Sequence, residues 1–330
     1  MKSLFDQAEI GGLILKNRFL RAAVGDKTTE GRVDEETIEL YRQTAAGGVG
    51  AIITGFTRVE NEETDALALS LYDDSFLDGH RRLTAAVHEH GARIILQIAH
   101  AGSYCQPKNS RTTPILGPSP VVHHMSNIRP KEMTAEEIQR VRQSFASAAR
   151  RGMQAGYDGV EIHGAHAFLL SLFLTPWYNR RRDNYGGSVA NRARFLIETY
   201  DAVRAAVGQD YPVWVKINSH DFMPDGITVD ECSYVCGALA AKGANALEIS
   251  GNWFSILQDP GTFFQPAAAR IAAEIKARDS KTDVILTGGN REITKMTDLL
   301  NSSAISAFGM ARPFLLEPGI IKRFECEAQL

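Results

Sequence analysis

No stretch of this 330-residue chain is long and apolar enough to cross a bilayer. The longest weakly polar stretch, residues 45–56, is glycine-rich and well short of the ~20 apolar residues a membrane helix needs. Cysteine is scarce. The four thiols, Cys105, Cys232, Cys236 and Cys326, are too few to staple a chain of this size. Cys232 and Cys236 could share a helix face, but no further ligand stands near them in sequence, so they read as buried structural thiols. An excess of one charge is also missing. Thirty-six Lys and Arg against 39 Asp and Glu leave a formal charge of -3, so no global electrostatic attraction favours nucleic acid or anionic lipid. The N-terminus has no basic stretch followed by an apolar run, which makes a reducing cytoplasm the expected location. Low-complexity and linker-like segments are absent too.

What is present is alternation. Short β-branched or apolar runs at residues 19–22, 51–54, 93–98, 159–163, 213–217, 246–250, 284–287 and 305–308 read as strands. Between them, residues 34–46, 75–90, 134–155, 188–207, 228–242, 266–277 and 293–300 have helical patterning. Thr134 followed by Glu137 resembles a capping box, with Gly156 just past the helix end. Asp34, Ser188 and Thr228 are expected N-caps, because each side-chain oxygen can accept from a free N–H of the first turn. Eight strand–helix units fit an α/β fold of the (β/α)8 TIM-barrel type in one domain over residues 1–330. The rival, a doubly wound open sheet, lacks its glycine fingerprint after the first strand.

In such a barrel, sites are built where the strands end and the following loops converge. The strand ends hold Ala22, Ala23, Val24 and Gly25; Gly55 and Phe56; Gln97; His163 and His166; Lys216; Ser250 and Gly251; Thr287, Gly288 and Gly289; and Met310, Ala311 and Arg312. His163 and His166 read as metal ligands, as donors to a substrate oxygen, or as histidines satisfied by backbone partners. A metal needs a third protein ligand, and these ends offer an amide, a lysine and glycines rather than carboxylates. Oxyanion donors fit better. Lys216, between apolar strand residues, must reach the mouth, snorkel to solvent, or bury its charge beside an anion. Gln97 poses the same demand, and a heterocycle with alternating donors and acceptors would meet it. Gly288, Gly289, Ala311 and Arg312 follow the seventh and eighth strands, where barrels place phosphate, although tight turns alone would also explain the glycines. A phosphorylated ring cofactor under a stacked substrate accounts for the set, and flavin mononucleotide suits it better than pyridoxal phosphate.

The chain resembles the old yellow enzyme family of FMN-dependent NAD(P)H:flavin oxidoreductases, from about Leu4 to Pro318. The resemblance is carried by Leu15 to Arg18, by Gln97 to Gly102, by Gly159 to His166 and, most specifically, by Leu174 to Ser188 with Asn191 to Phe195. It implies an ene-reductase. Ala22, Ala23, Val24 and Gly25 would hold the isoalloxazine through backbone contacts, with Gly55 and Phe56 near the ring. Gln97 would meet its pyrimidine edge, Lys216 would lie near N1, and Ala311 and Arg312 would bind the phosphate. His163 and His166 would bind the carbonyl oxygen of an α,β-unsaturated substrate while hydride reaches its β-carbon. NADH or NADPH would bind over the same flavin face in a ping-pong cycle. The arginines of the Leu174–Ser188 run and Asn191 would serve the loop and the helix start through Asp183 and backbone carbonyls.

The chain departs from the family pattern at several positions. Lys216 stands where many relatives carry arginine, Ala311 where glycine is usual, and Ser103 where arginine is common. Gly25 lies where some relatives tune the flavin with a thiol or hydroxyl. Phe168 occupies the place of a proton-donating tyrosine and cannot donate. Tyr104 and Tyr178, in loops expected at the mouth, are the candidate donors. The proline-containing loop from Ser103 to Lys131 is expected to be a partly ordered lid. The chain stops soon after the eighth strand, so the iron–sulfur and nucleotide-binding domains of larger relatives are not expected. The partners implied are a small unsaturated carbonyl compound and a nicotinamide nucleotide, with no nucleic acid or membrane and self-association left open. A metal-dependent barrel lyase or hydrolase using the two histidines, and a non-catalytic flavin-binding protein, are the competing readings.

Overall fold

A computed structural model describes residues 1–26, 28–61, 68–104, 114–251 and 263–328. Eight parallel strands form its centre: β1 (Phe19–Arg21), β2 (Ala51–Ile53), β3 (Arg93–Ala99), β4 (Gly159–Gly164), β5 (Val213–Asn218), β6 (Ala246–Ser250), β7 (Asp283–Thr287) and β8 (Ala307–Met310). Each pairs with its sequence neighbour, and β8 pairs with β1, so the sheet closes. This is the (β/α)8 barrel expected from the sequence. Around it lie α1 (Glu35–Ala46), α2 (Leu77–His88), α3 (Ala135–Gln154), α4 (Val189–Val207), α5 (Val229–Ala241), α6 (Gln265–Ala277), α7 (Ile293–Ser302) and α8 (Ile320–Ala328).

The helix starts are where side-chain chemistry puts them. Thr134 and Glu137 form a full capping box on α3, as do Thr228 and Glu231 on α5. Asp34 accepts from the Thr37 N–H and Ser188 from that of Asn191. Two short helices, Leu169–Leu174 and Arg312–Leu316, went unrecognised in the sequence because brief apolar runs carry too few turns to show a period, and α8 was not singled out although Ile320, Ile321 and Phe324 repeat at helical spacing.

An N-terminal hairpin, Ala8–Ile10 paired with Leu13–Leu15, plugs the barrel floor. Its Ile10, Leu13 and Leu15 pack against the inward residues Leu20, Ala51, Ile53, Ile95, Trp214, Ala246, Ile285 and Ala307. The Trp214 indole N–H donates to the Gly11 carbonyl at 2.9 Å, and a Cβ on Gly11 would stand 2.4 Å from that nitrogen. The lower half of the barrel is therefore sealed with apolar side chains, and only the C-terminal end of the strands can hold polar chemistry.

Candidate active site

Strand side chains alternate between the helix layer and the barrel interior. Continuing the inward series above Trp214, Ile95, Ala246 and Ile285 reaches Gln97, Glu161, Lys216, Glu248 and Thr287, and then His163, Asn218 and Ser250. Halfway up, the interior turns from hydrocarbon to charge. Lys216 Nζ donates to Glu248 Oε1 at 2.8 Å, and Gln97 Nε2 donates to Glu161 Oε2 at 2.7 Å. All four side chains are buried. The expectation that the strand ends lack carboxylates is therefore wrong: two stand in the interior, and one of them neutralises Lys216. Burial, the neighbouring Glu248 and its shared contact push Glu161 well above the usual carboxylate range. Burial would raise Glu248 as well, but the Lys216 ammonium overcomes it and holds that group low. Glu248 was overlooked in the sequence, although its position two residues before Ser250, between Leu247 and Ile249, carries the same signal that singled out Lys216.

His163 ends the inward series of β4, and His166 follows in the loop. Their rings meet edge to face with centroids 5.2 Å apart. The turn that brings them together is strained: His166 and Ala167 both take left-handed backbone, at φ 59° and 60°. It is secured where the His166 N–H donates to Asn218 Oδ1 at 3.1 Å, while the imidazole Nε2 lies 3.1 Å from the Ser250 hydroxyl. Burial, with Lys216 adding repulsion, lowers His166 to about 3, and burial lowers His163 well below its ordinary value. Both rings are neutral at physiological pH, so one nitrogen of each donates and the other accepts. His163 Nδ1 is buried with no partner among the described residues.

Ala22 to Gly25 lead away from β1, with Ala22 buried and the next three residues half-buried. The turn rests on a buried network that the sequence did not reveal. Asp26 accepts from the Tyr41 hydroxyl at 2.7 Å and from the Gly55 N–H at 3.1 Å, and its carboxylate lies 3.5 Å from Arg21. Gly55 is glycine for a steric reason, since its Cβ would fall 2.5 Å from the Val24 carbonyl oxygen and 2.4 Å from Asp26. Next to it, the Phe56 ring packs edge-on against Phe168 at 5.0 Å.

Phe168 is the centre of an aromatic wall. Its centroid lies 4.6 Å from that of His163 and 5.0 Å from that of Tyr104. Tyr104 meets His123 at 5.6 Å, and His123 stacks on Tyr178 at 5.4 Å. The Tyr178 hydroxyl bonds to His124 Nδ1, and burial pushes that phenol up to about 12. His123 and His124 lie in the loop expected to form the lid and were not singled out in the sequence. Residues 105–113 of that loop, Cys105 and Pro107 among them, lie outside the described residues. Its remainder is tied down by a short parallel pairing of Leu116–Gly117 with Lys131–Glu132.

At the far side, Gly288 and Gly289 turn with positive φ after β7. A Cβ on Gly288 would meet the Phe264 ring at 2.6 Å, and one on Gly251 would meet it at 2.1 Å. Packing thus gives these glycines a reason that stands beside anion binding. Ala311 is half-buried; Arg312 is exposed and makes no hydrogen bond or ion pair with the described residues. The Leu174–Ser188 arginines serve the structural role expected of them. Arg181 bonds Asp183 and the carbonyls of Pro118 and Met133, and Arg192, in the Asn191–Phe195 segment, bonds that of Leu174. Among the described residues, no group of three or more His, Cys, Asp or Glu could hold a metal ion, and no helix is long and apolar enough to cross a membrane.

Comparison with known proteins places this geometry in a family. Residues 3–330 match the model of the NADH:flavin oxidoreductase / NADH oxidase family. A metal reductase of Desulforamulus reducens is 34% identical over 320 residues, covering 96% of this chain and 48% of that protein. An NADPH dehydrogenase of a Geobacillus species is 34% identical over 322 residues, covering 96% of this chain and 91% of that protein. An old yellow enzyme homologue from Zymomonas mobilis shares the fold, with a TM-score of 0.82 at 24% identity over 99% of this chain and 93% of the other. The chain spans about half the length of two of the curated relatives it matches, 48% and 50%. It belongs to the NADH:flavin oxidoreductase / NADH oxidase family, with FMN as its cofactor.

Proposed function

We propose that this FMN-dependent NAD(P)H oxidoreductase reduces the activated C=C bond of α,β-unsaturated carbonyl compounds in a ping-pong cycle. The reading is carried by two neutral imidazoles, His163 and His166, held 5.2 Å apart at one wall of the barrel mouth. His163 Nδ1 faces the interior without a partner among the described residues, beside the buried polar side chains of Glu161, Glu248 and Thr287. A cofactor rich in hydrogen-bonding edges fits such a lining. Ala22 to Gly25, Gly55 and Phe56 would border the ring, Gln97 and Lys216 its pyrimidine edge, and Gly288, Gly289, Ala311 and Arg312 the phosphate. Held there, FMN would supply the hydride-transfer chemistry that links the nicotinamide to the acceptor.

The protein's own part is to bind and polarise. His163 and His166 donate to the carbonyl oxygen and stabilise the charge that develops there as the β-carbon is reduced. As neutral donors they need not release a proton to do so. The α-carbon then takes a proton, which Phe168 cannot supply. Tyr104, against Phe168, stands one ring from His163, and Tyr178 stands behind His123; both are proposed donors.

The test is a spectrum of the purified protein followed by anaerobic titration with NADH and NADPH against a panel of enones. Bound flavin that is reduced by a nicotinamide and reoxidised by an enone is expected. A protein that takes up no FMN, or whose reduced form ignores every enone, overturns the reading. Tyr104→Phe and Tyr178→Phe separate the donors: the true one loses alkene turnover while flavin reduction by nicotinamide persists.

A further inference from the structure

We propose that Glu248 sets the positive charge that Lys216 presents to bound FMN, with Glu161 holding the proton that keeps the buried layer neutral. The inference rests on the FMN reading above. Three ionisable side chains on three adjacent strands, Glu161, Lys216 and Glu248, are each no more than 2% exposed. One ammonium faces two carboxyls. Were both ionised, the barrel would carry an uncompensated negative charge out of contact with water, which a buried site resolves by taking up a proton.

The hydrogen bonds say where the proton sits. Glu248 Oε1 accepts from Lys216 at 2.8 Å, a charge-assisted contact that favours its ionised form. Glu161 Oε2 accepts from the neutral Gln97 amide at 2.7 Å, and no cation bonds to Glu161 among the described residues. The remaining oxygens, Glu161 Oε1 and Glu248 Oε2, are buried, and the two carboxyls contact each other there. The two interact with each other as well as with Lys216, and Glu161 is the one shifted upward. Among the described residues the surrounding strands add no further charge to this layer: β3 contributes Gln97, β4 and its loop contribute the neutral His163 and His166, and β7 contributes Thr287. The layer therefore holds one ammonium, one carboxylate and one carboxylic acid. Lys216 faces the cofactor site as half of an ion pair rather than as a bare cation.

A cation beside the pyrimidine edge favours the reduced cofactor, and a carboxylate behind that cation weakens the preference. Glu248 is thus a positioning residue whose effect is read in the reduction equilibrium. Wild type, Glu248→Gln and Glu161→Gln, each loaded with FMN, are titrated anaerobically against reference dyes at neutral pH. Glu248→Gln is expected to shift the equilibrium toward the reduced form by roughly tenfold or more, about 30 mV for a two-electron couple. Glu161→Gln, which mimics the protonated acid, should move it by less than about threefold. An FMN-loaded Glu248→Gln with an unmoved potential overturns the inference, as does an equal shift in both variants. Should Glu248→Gln fail to fold, infrared spectra decide: wild type is expected to show a protonated-carboxyl stretch at neutral pH that Glu161→Gln lacks, and its absence overturns the inference. A wild-type protein that takes up no FMN overturns the flavin reading, and the tuning inference with it.

Discussion

His163 shows what a single side chain contributes here. It is fixed by β4, flanked by His166 and Phe168, and keeps a buried nitrogen without a partner among the described residues. His163→Ala is expected to weaken phenolic ligands and slow reoxidation by enones at least tenfold, the loss of one good donor to a developing oxyanion being on the order of 3 kcal/mol. Flavin content should stay near wild type, and stopped-flow traces with unchanged enone kinetics would remove the oxyanion role. Gly55 acts through space instead. Gly55→Ala would drive a methyl group into Val24 and Asp26, which displaces the turn proposed to border the ring. A destabilisation of about 1–3 kcal/mol and partial loss of FMN are expected, read by urea midpoint and by flavin-to-protein absorbance.

Helices and strands were the most legible elements, because their signals are local and repeat. The capping box at Thr134 and Glu137 was readable as a four-residue pattern, and the structure contains both of its hydrogen bonds. Thr134→Ala should cost about 1 kcal/mol of stability without altering flavin uptake. The hairpin plug was not legible: strands of three residues with glycines between them carry almost no periodicity. Its effect is nevertheless large. Gly11→Ala meets the Trp214 indole and must also adopt φ 58°, so it should destabilise by more than Thr134→Ala in the same urea series.

At the scale of the whole molecule, buried histidines are expected to make stability fall in acid. His80 accepts from the Tyr157 hydroxyl at 2.7 Å and donates to the Ser70 carbonyl at 3.1 Å, and burial lowers it to about 4. His123 is likewise lowered to about 4, chiefly by burial and then by His124. Below the unperturbed value of 6.5 the unfolded chain binds protons that the folded protein refuses. Stability therefore falls as pH drops from 6.5 toward 4, by about 3 kcal/mol for a fully buried group such as His80. Urea midpoints should decline steeply across that window, and His80→Gln should flatten the decline. A midpoint constant across the window would show that these rings are already charged in the folded state.

The sequence alone determined the barrel, its eight strands, the helix caps and which residues stand at most strand ends, since alternation, capping and strand-end position are properties of neighbours along the chain. It singled out Lys216 as needing compensation but not Glu248 as the group that supplies it, because the two lie on different strands and their meeting depends on register. Only the tertiary structure decided that both histidines are neutral and that the Gly55 turn rests on Asp26. It also placed Tyr104 and Tyr178 in one aromatic wall with His123. Burial and cross-strand distance set charge state and partnership, and neither exists until the sheet has closed.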